Sequence, residues 1–539
     1  MPRSAPRHLL RVLAASLAAA LALAACTNPD DGAREPSAPA GGPASSLVSD
    51  TESEPAASPD MEAQSPGATP DDEVMAAFYS QEVRWQPCAT QDAECASIEA
   101  PMDYENPGGA RISVALARIP ATGQGESLGS ILTNPGGPGA SGVDYLPYMA
   151  MSLPPEVTEV FDVVGFDPRG AGQTSPVGCL DDASMDEYVN TYPDTLDTEG
   201  IREMRQAAEE FGEACMANTG EALGFVDSGS TARDMDVIRA AVGDEKLNYL
   251  GVSYGTYLGA LYAERFPEHV GRLVLDAAVD PTADQGDEEI AQMAGFEAAL
   301  RVFTSDCLES DICPLTGSVD EAMAQIHDFI AARASEPLPT EYGRPLTVQM
   351  ALMGILLAMY EDATWPMLTT ALASAMELGD GTELLELADL YFDRDSETGE
   401  FTTNMFDAFL AITCLDSPVD ARRAVMDERM VQMREAAPTL ADFSAFGAIG
   451  CAEWPFPAVL EPHSIAADGA DPIVVIGTTG DPATPFANAE ALAGGFSSGV
   501  LVTYDGEGHG AVGRSNTCVT DMLNDYYING TPPEPGLTC

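Results

Sequence analysis

Ser253 lies in Gly251-Val252-Ser253-Tyr254-Gly255, between a strand-like run (Leu247 to Leu250) and a helix-like run (Thr256 to Phe266). A Gly-x-Ser-x-Gly at a strand-to-helix junction forces the serine into a tight turn. Its glycines relieve crowding there, and the hydroxyl is held out for attack on a carbonyl. Ser253 is therefore the expected nucleophile. A second copy, Gly125-Glu126-Ser127-Leu128-Gly129, follows a polar loop and enters a strand. That is the reverse order, so we read it as a chance match.

A serine nucleophile needs a base, and histidine titrates in the useful range. The chain has five histidines. His8 falls in a leader, His269 before a strand, His327 within a helix and His463 in a loop before a strand. Only His509, in Glu507-Gly508-His509-Gly510, directly follows a strand-like run. Functional groups of doubly wound sheets gather at the carboxyl ends of strands, which selects His509. The base needs a carboxylate to fix its tautomer. Asp481 follows another strand, in Gly480-Asp481-Pro482-Ala483-Thr484-Pro485, and Asp505 and Asp276 are rivals. Thr484 is a candidate for a hydrogen bond within the Asp481 loop. Backbone amides must hold the developing oxyanion. Tyr254, following the nucleophile, supplies one. Pro135-Gly136-Gly137-Pro138-Gly139 offers the second, assigned to Gly137 with Gly136 as the alternative.

The elements that must position these groups alternate. Strands are expected at Arg111–Ile119, Ser130–Asn134, Phe161–Asp167, Arg272–Asp276, Pro472–Gly477 and Gly499–Tyr504, with a helix over Thr231–Val242. This alternation predicts an α/β fold with a doubly wound, mostly parallel sheet. From Asp284 to Phe446 helical patterns dominate: Glu288–Thr304, Val319–Ala334, Thr347–Met376, Gly381–Phe392, Asn404–Thr413 and Asp420–Ala436. We expect a large inserted helical lid. The domain reading is a leader at 1–25, a tether at 26–75, the core's first part at 76–283, the lid at 284–446 and the rest of the core at 447–539.

A chain of 539 residues calls for two folded units or one catalytic domain with a large insertion. Arg3, Arg7 and Arg11 precede an apolar run, Val12 to Ala25, that is shorter than a typical spanning helix. It ends in Leu23-Ala24-Ala25-Cys26, which resembles a bacterial lipoprotein signal, with lipid expected on the Cys26 sulfur. The Pro-, Ser-, Gly- and acid-rich stretch that follows cannot bury a core and reads as a flexible tether. The expected location is the outer face of the cell membrane, held by that anchor. The formal charge is −62. Phosphates would be repelled, which excludes nucleic acid as a partner. Beyond Cys26, ten of the eleven cysteines remain. An even number in an exported chain predicts disulfides, and proximity suggests Cys88–Cys95, Cys179–Cys215, Cys307–Cys313, Cys414–Cys451 and Cys518–Cys539. No His or Cys spacing suits a metal, and no organic cofactor is implied. The protein is expected to act as a monomer.

Asn134-Pro135-Gly136-Gly137-Pro138-Gly139, Asp167-Pro168-Arg169-Gly170-Ala171-Gly172, the Ser253 elbow, Gly480–Pro485 and Gly508-His509-Gly510 together resemble the proline-iminopeptidase-like α/β-hydrolases of peptidase family S33. More closely they resemble secreted actinobacterial tripeptidyl aminopeptidases, with a TAP-like C-terminal region. The resemblance implies release of short peptides from free N-termini through an acyl-enzyme. It also implies a lid carboxylate for the substrate ammonium, for which Glu288 and Glu289 are candidates. Iminopeptidases carry a histidine where this chain has Asn134-Pro135, which weakens the transfer of a strict proline preference. Two other readings stand beside this one: a carboxylesterase or lipase on the same triad, and a non-enzymatic surface-binding lipoprotein.

Overall fold

The computed structural model describes residues 73–88, 93–190, 198–444 and 447–539. The leader, Cys26 and all but the last three residues of the tether lie outside the described residues. Ten strands build one sheet: β1 (Gln86–Pro87), β2 (Glu94–Pro101), β3 (Arg111–Ile119), β4 (Ser130–Asn134), β5 (Asp162–Phe166), β6 (Leu247–Val252), β7 (Val270–Asp276), β8 (Ile473–Gly480), β9 (Gly499–Glu507) and β10 (Leu537–Thr538). Their order is β1-β2-β3-β5-β4-β6-β7-β8-β9-β10. β1 to β3 are antiparallel to their neighbours, and every pairing from β5 to β10 is parallel. The expected doubly wound, mostly parallel sheet is what forms.

The central strands are short apolar runs because both of their faces are covered. In β7, Leu273 and Leu275 enter the core on one face and Val274 enters the core on the other. In β8 the same split separates Ile473 and Val475 from Val474 and Ile476. That is the period of two expected of a strand. Helix α1 (Ser228–Val242) precedes β6, and α2 (Tyr254–Arg265) follows it.

Between β7 and β8 the chain is helical. It forms α3 (Gln285–Cys307), α4 (Val319–Ala332), α5 (Val348–Met359), α6 (Trp365–Ala373), α7 (Thr382–Tyr391), α8 (Met405–Asp416) and α9 (Arg423–Ala436). Their starts are written locally. Asp284 caps α3 through the amides of Gly286 and Asp287, and Ser318 with Glu321 forms a capping box on α4. This insertion has its own apolar core, around Leu300, Phe303, Ile326, Leu352, Ile355 and Leu385, which also takes in Ala483 from the Asp481 loop.

One expectation fails here. Thr347–Met376 is not a single helix: it breaks at Tyr360–Thr364, and α6 restarts with Pro366 in its first turn. Proline disfavours helix in the residue before it and suits a helix start. The expected disulfides do form, pairing Cys88–Cys95, Cys179–Cys215, Cys307–Cys313, Cys414–Cys451 and Cys518–Cys539.

Candidate active site

Strand register brings the chosen loops together. β4 and β6 pair Asn134 with Gly251, so the loop after Asn134 emerges beside the Ser253 turn. β8 and β9 pair Gly480 with Glu507, which sets Asp481 beside the loop carrying His509. Both junctions lie at carboxyl ends of parallel strands.

Ser253 has φ 57° and ψ −128°, a region that costs a non-glycine residue roughly 1–3 kcal/mol. Its flanking glycines are required by close approach. A Cβ on Gly251 would stand 2.4 Å from the Gly255 carbonyl oxygen, and one on Gly255 would stand 2.7 Å from that of Asn134. The Ser253 amide donates to the Asp276 carbonyl at 3.0 Å. The Asp276 carboxylate in turn accepts the amides of Ala511 and Val512, each at 2.8 Å. Asp276 thus ties the serine turn to the histidine loop.

His509 Nδ1 lies 2.9 Å from Asp481 Oδ1 and 3.1 Å from Oδ2. Asp481 also accepts the amides of Ala483 (3.0 Å), Thr484 (2.9 Å) and Gly510 (3.1 Å). Surrounded by donors, its oxygens accept, so Nδ1 carries the proton and Nε2 keeps its lone pair. Burial disfavours the imidazolium, but the Asp481 carboxylate outweighs it and holds the His509 pKa above 6.5. The Thr484 hydroxyl approaches Nδ1 at 3.4 Å, a longer contact. The rival acids do other work. Asp276 serves backbone amides, and Asp505 accepts the exposed Thr479 hydroxyl. The other described histidines are engaged elsewhere: His269 with Asp236, His327 with Asp328 and Asp442, and His463 with Glu264.

The glycine loop separates the two oxyanion candidates. A Cβ on Gly136 would stand 2.9 Å from Ser253 Cβ and 3.3 Å from the Tyr254 nitrogen, so this loop lies directly against the serine turn. The Gly136 amide is already given to Asn134 Oδ1 at 3.0 Å. Among the described residues, no protein acceptor takes the amide of Gly137 or of Tyr254. These two are the donors left for a ligand.

Other features of the site were not visible in the sequence. The break after α5 turns Tyr360 onto His509. Its carbonyl accepts the His509 amide at 2.8 Å, and its ring meets the imidazole edge-on, 5.3 Å between centroids. Arg514 bridges the carbonyls of Gly510 and Glu507 at 2.7 and 2.6 Å, closing the loop around His509. α3 packs on the Asp481 loop. A Cβ on Gly295 would meet the Pro482 carbonyl at 2.4 Å, and Gln292 donates to the Ala483 carbonyl at 3.1 Å. A turn earlier on α3 stand Glu288 and Glu289. Burial, with Asp280 adding, pushes Glu288 up to about 7, where it meets Asn488 Nδ2 at 3.1 Å. Burial pushes Glu289 to about 7 as well, against the pull of Arg429.

Comparison with known proteins bears on this geometry. Residues 129–364 match the family described as "alpha/beta hydrolase fold", and residues 437–539 match the family described as "TAP-like protein". Serine protease Hip1 of Mycobacterium tuberculosis is 37% identical over 480 residues, covering 85% of this chain and 91% of that protein. Carboxylesterase B of the same species is 37% identical over 453 residues, covering 83% and 86%. Tripeptidyl aminopeptidase of Streptomyces lividans is 30% identical over 477 residues, covering 85% and 86%.

Proposed function

The chain belongs to the α/β-hydrolase family and is a serine hydrolase, and from that premise we propose that it releases short peptides from free N-termini through an acyl-enzyme. Ser253 is the nucleophile. His509 Nε2 takes its proton as Oγ attacks the scissile carbonyl, and Asp481 orients the ring and stabilises the imidazolium. The amides of Tyr254 and Gly137 hold the oxyanion. His509 then protonates the leaving amine, and a water activated by the same nitrogen releases the acyl group. The observation that carries this reading is the His509–Asp481 pair at 2.9 Å, on a loop that Asp276 ties to the Ser253 turn.

Two things support a peptidase with an open N-terminus. Relatives are named as a serine protease and a tripeptidyl aminopeptidase. Glu288 and Glu289 stand one turn from the contact of α3 with the acid's loop, Glu288 toward Asn488 and Glu289 toward Arg429, and a substrate ammonium beside either would favour its charged form. The helical insertion acts as the lid that carries them. A tripeptidyl anilide with a free amine should be cleaved at least tenfold faster than its N-acetylated form. Equal rates on the two would reject the exopeptidase mode. A second reading, an esterase, is favoured by the relative named carboxylesterase B, and greater kcat/KM on a butyrate ester than on any peptide would select it.

The enzyme is exported and held at the membrane by lipid on Cys26, with the following stretch as tether. Five disulfides, which use every cysteine after Cys26, support an oxidising compartment. A Cys26→Ala chain should lose incorporation of labelled fatty acid and leave the membrane fraction. Undiminished labelling would refute the anchor.

A further inference from the structure

The side chain of Tyr254 enters a buried hydrogen-bonded chain of two hydroxyls and a carboxylate. Its hydroxyl hydrogen-bonds Ser228 Oγ, and Ser228 Oγ hydrogen-bonds Asp416 Oδ2. The Ser228 amide donates to Asp416 Oδ1 at 2.8 Å. Ser228 is the first residue of α1 and fully buried. Asp416 is the last residue of α8. A residue of the insertion is therefore joined, through one serine, to the residue whose amide faces the oxyanion.

This carboxylate accepts the first amide of α1, but the helix start does not depend on it alone. Asp227 already caps α1, accepting the Ser230 amide at 2.8 Å. Asp416 is a second acid at the same end, and it is costly there. Burial, with Asp227 adding, pushes it up to about 8. The groups facing it are Asp227, Ser228, Tyr254 and Tyr257, with no cation among them. The other end of α8 packs on the oxyanion loop. A Cβ on Gly139 would stand 2.6 Å from the Met405 carbonyl oxygen and 2.8 Å from the Phe409 nitrogen. The Cys414–Cys451 disulfide fixes the helix near Asp416. One helix of about 18 Å thus braces both sides of the oxyanion hole.

We propose that Asp416 is a positioning residue for the oxyanion hole, holding the Tyr254 side chain through Ser228 so that the Tyr254 amide stays aimed at the developing charge. This rests on the roles given above to Ser253 and Tyr254. Misaiming an amide weakens transition-state stabilisation and leaves ground-state binding largely alone.

The test is steady-state kinetics of the full mature enzyme on a tripeptidyl anilide and on a butyrate ester. The variants are Asp416→Ala, Asp416→Asn, Tyr254→Phe and the pair Asp416→Ala with Tyr254→Phe. Asp416→Ala should lower kcat about 10- to 100-fold on both substrates, with KM within about twofold. In the Tyr254→Phe background, where the chain is already cut, the same change should cost less than about threefold. Wild-type kcat in Asp416→Ala would overturn the proposal, as would equal losses in both backgrounds. If Asp416→Ala does not fold, Asp416→Asn is read by the same criteria. A wild-type enzyme inactive on both substrates would instead overturn the parent reading.

Discussion

On the proposed mechanism, His509 sets the pH response. It must be neutral to accept a proton, and the Asp481 carboxylate holds its pKa above 6.5. Activity should therefore rise with pH along a limb whose midpoint exceeds 6.5, measured as kcat/KM against pH. Asp481→Asn keeps the shape but reverses the hydrogen-bond demand on Nδ1, leaving the wrong tautomer. It should lower kcat by a factor on the order of 10⁴ and also lower the melting temperature, because the amide nitrogen cannot accept the backbone amides that Asp481 takes. The residue scale was also the most legible in the sequence. A glycine-flanked serine, an Asp-Pro turn and a Gly-His-Gly are local patterns, each anchored to a strand end. Asp276 was misleading, because a carboxylate's partner depends on packing between distant loops. In the fold it accepts the amides of Ala511 and Val512.

Among elements, the α5–α6 break matters most. Composition makes Thr347–Met376 read as one helix, since apolar residues dominate it on both sides of Glu361-Asp362. Pro366, in the first turn of α6, is the local signal of the break. The break puts Tyr360 against His509. Tyr360→Ala should lower kcat about tenfold through loss of an edge-on contact worth roughly 0.5–1.5 kcal/mol, with the backbone bond retained. An unchanged kcat would reduce Tyr360 to packing. The glycine loop is less tolerant. Gly136→Ala would set a methyl 2.7 Å from the Val252 carbonyl oxygen and 2.9 Å from Ser253 Cβ. It should cost more than 100-fold in kcat and also lower the melting temperature, because Gly136 has φ 103°, which strains an alanine. β2 escaped notice because its start, Glu94 to Ala96, shows no alternation and only Ile98, Ala100 and Pro101 are buried.

At the scale of the molecule, acidity and burial conflict. Burial raises the folded pKa of Asp407 to about 6, of Glu288 and Glu289 to about 7, and of Asp416 to about 8. A raised pKa means the folded state binds protons that the unfolded chain has released. The stability from these protons is complete below the ordinary carboxylate range and is lost as pH rises through 6 to 8. The melting temperature should therefore be higher at pH 5.5 than at pH 8.5. A rise toward alkaline pH would contradict that sign. Overall architecture was legible because alternating strands and helices leave few topologies. The antiparallel edge was less so: β1 and β2 pair with their sequence neighbours, but β1 has only two residues and the β3–β5 pairing joins segments more than 40 residues apart.

The account stands or falls on Ser253 as the reacting atom. The most direct measurement treats the folded protein with a fluorophosphonate and maps the adduct by peptide mass spectrometry. We predict one adduct, on Ser253, abolished by Ser253→Ala and slowed by orders of magnitude in His509→Ala. Failure to label Ser253 in folded protein, or labelling there at the same rate without His509, would contradict it.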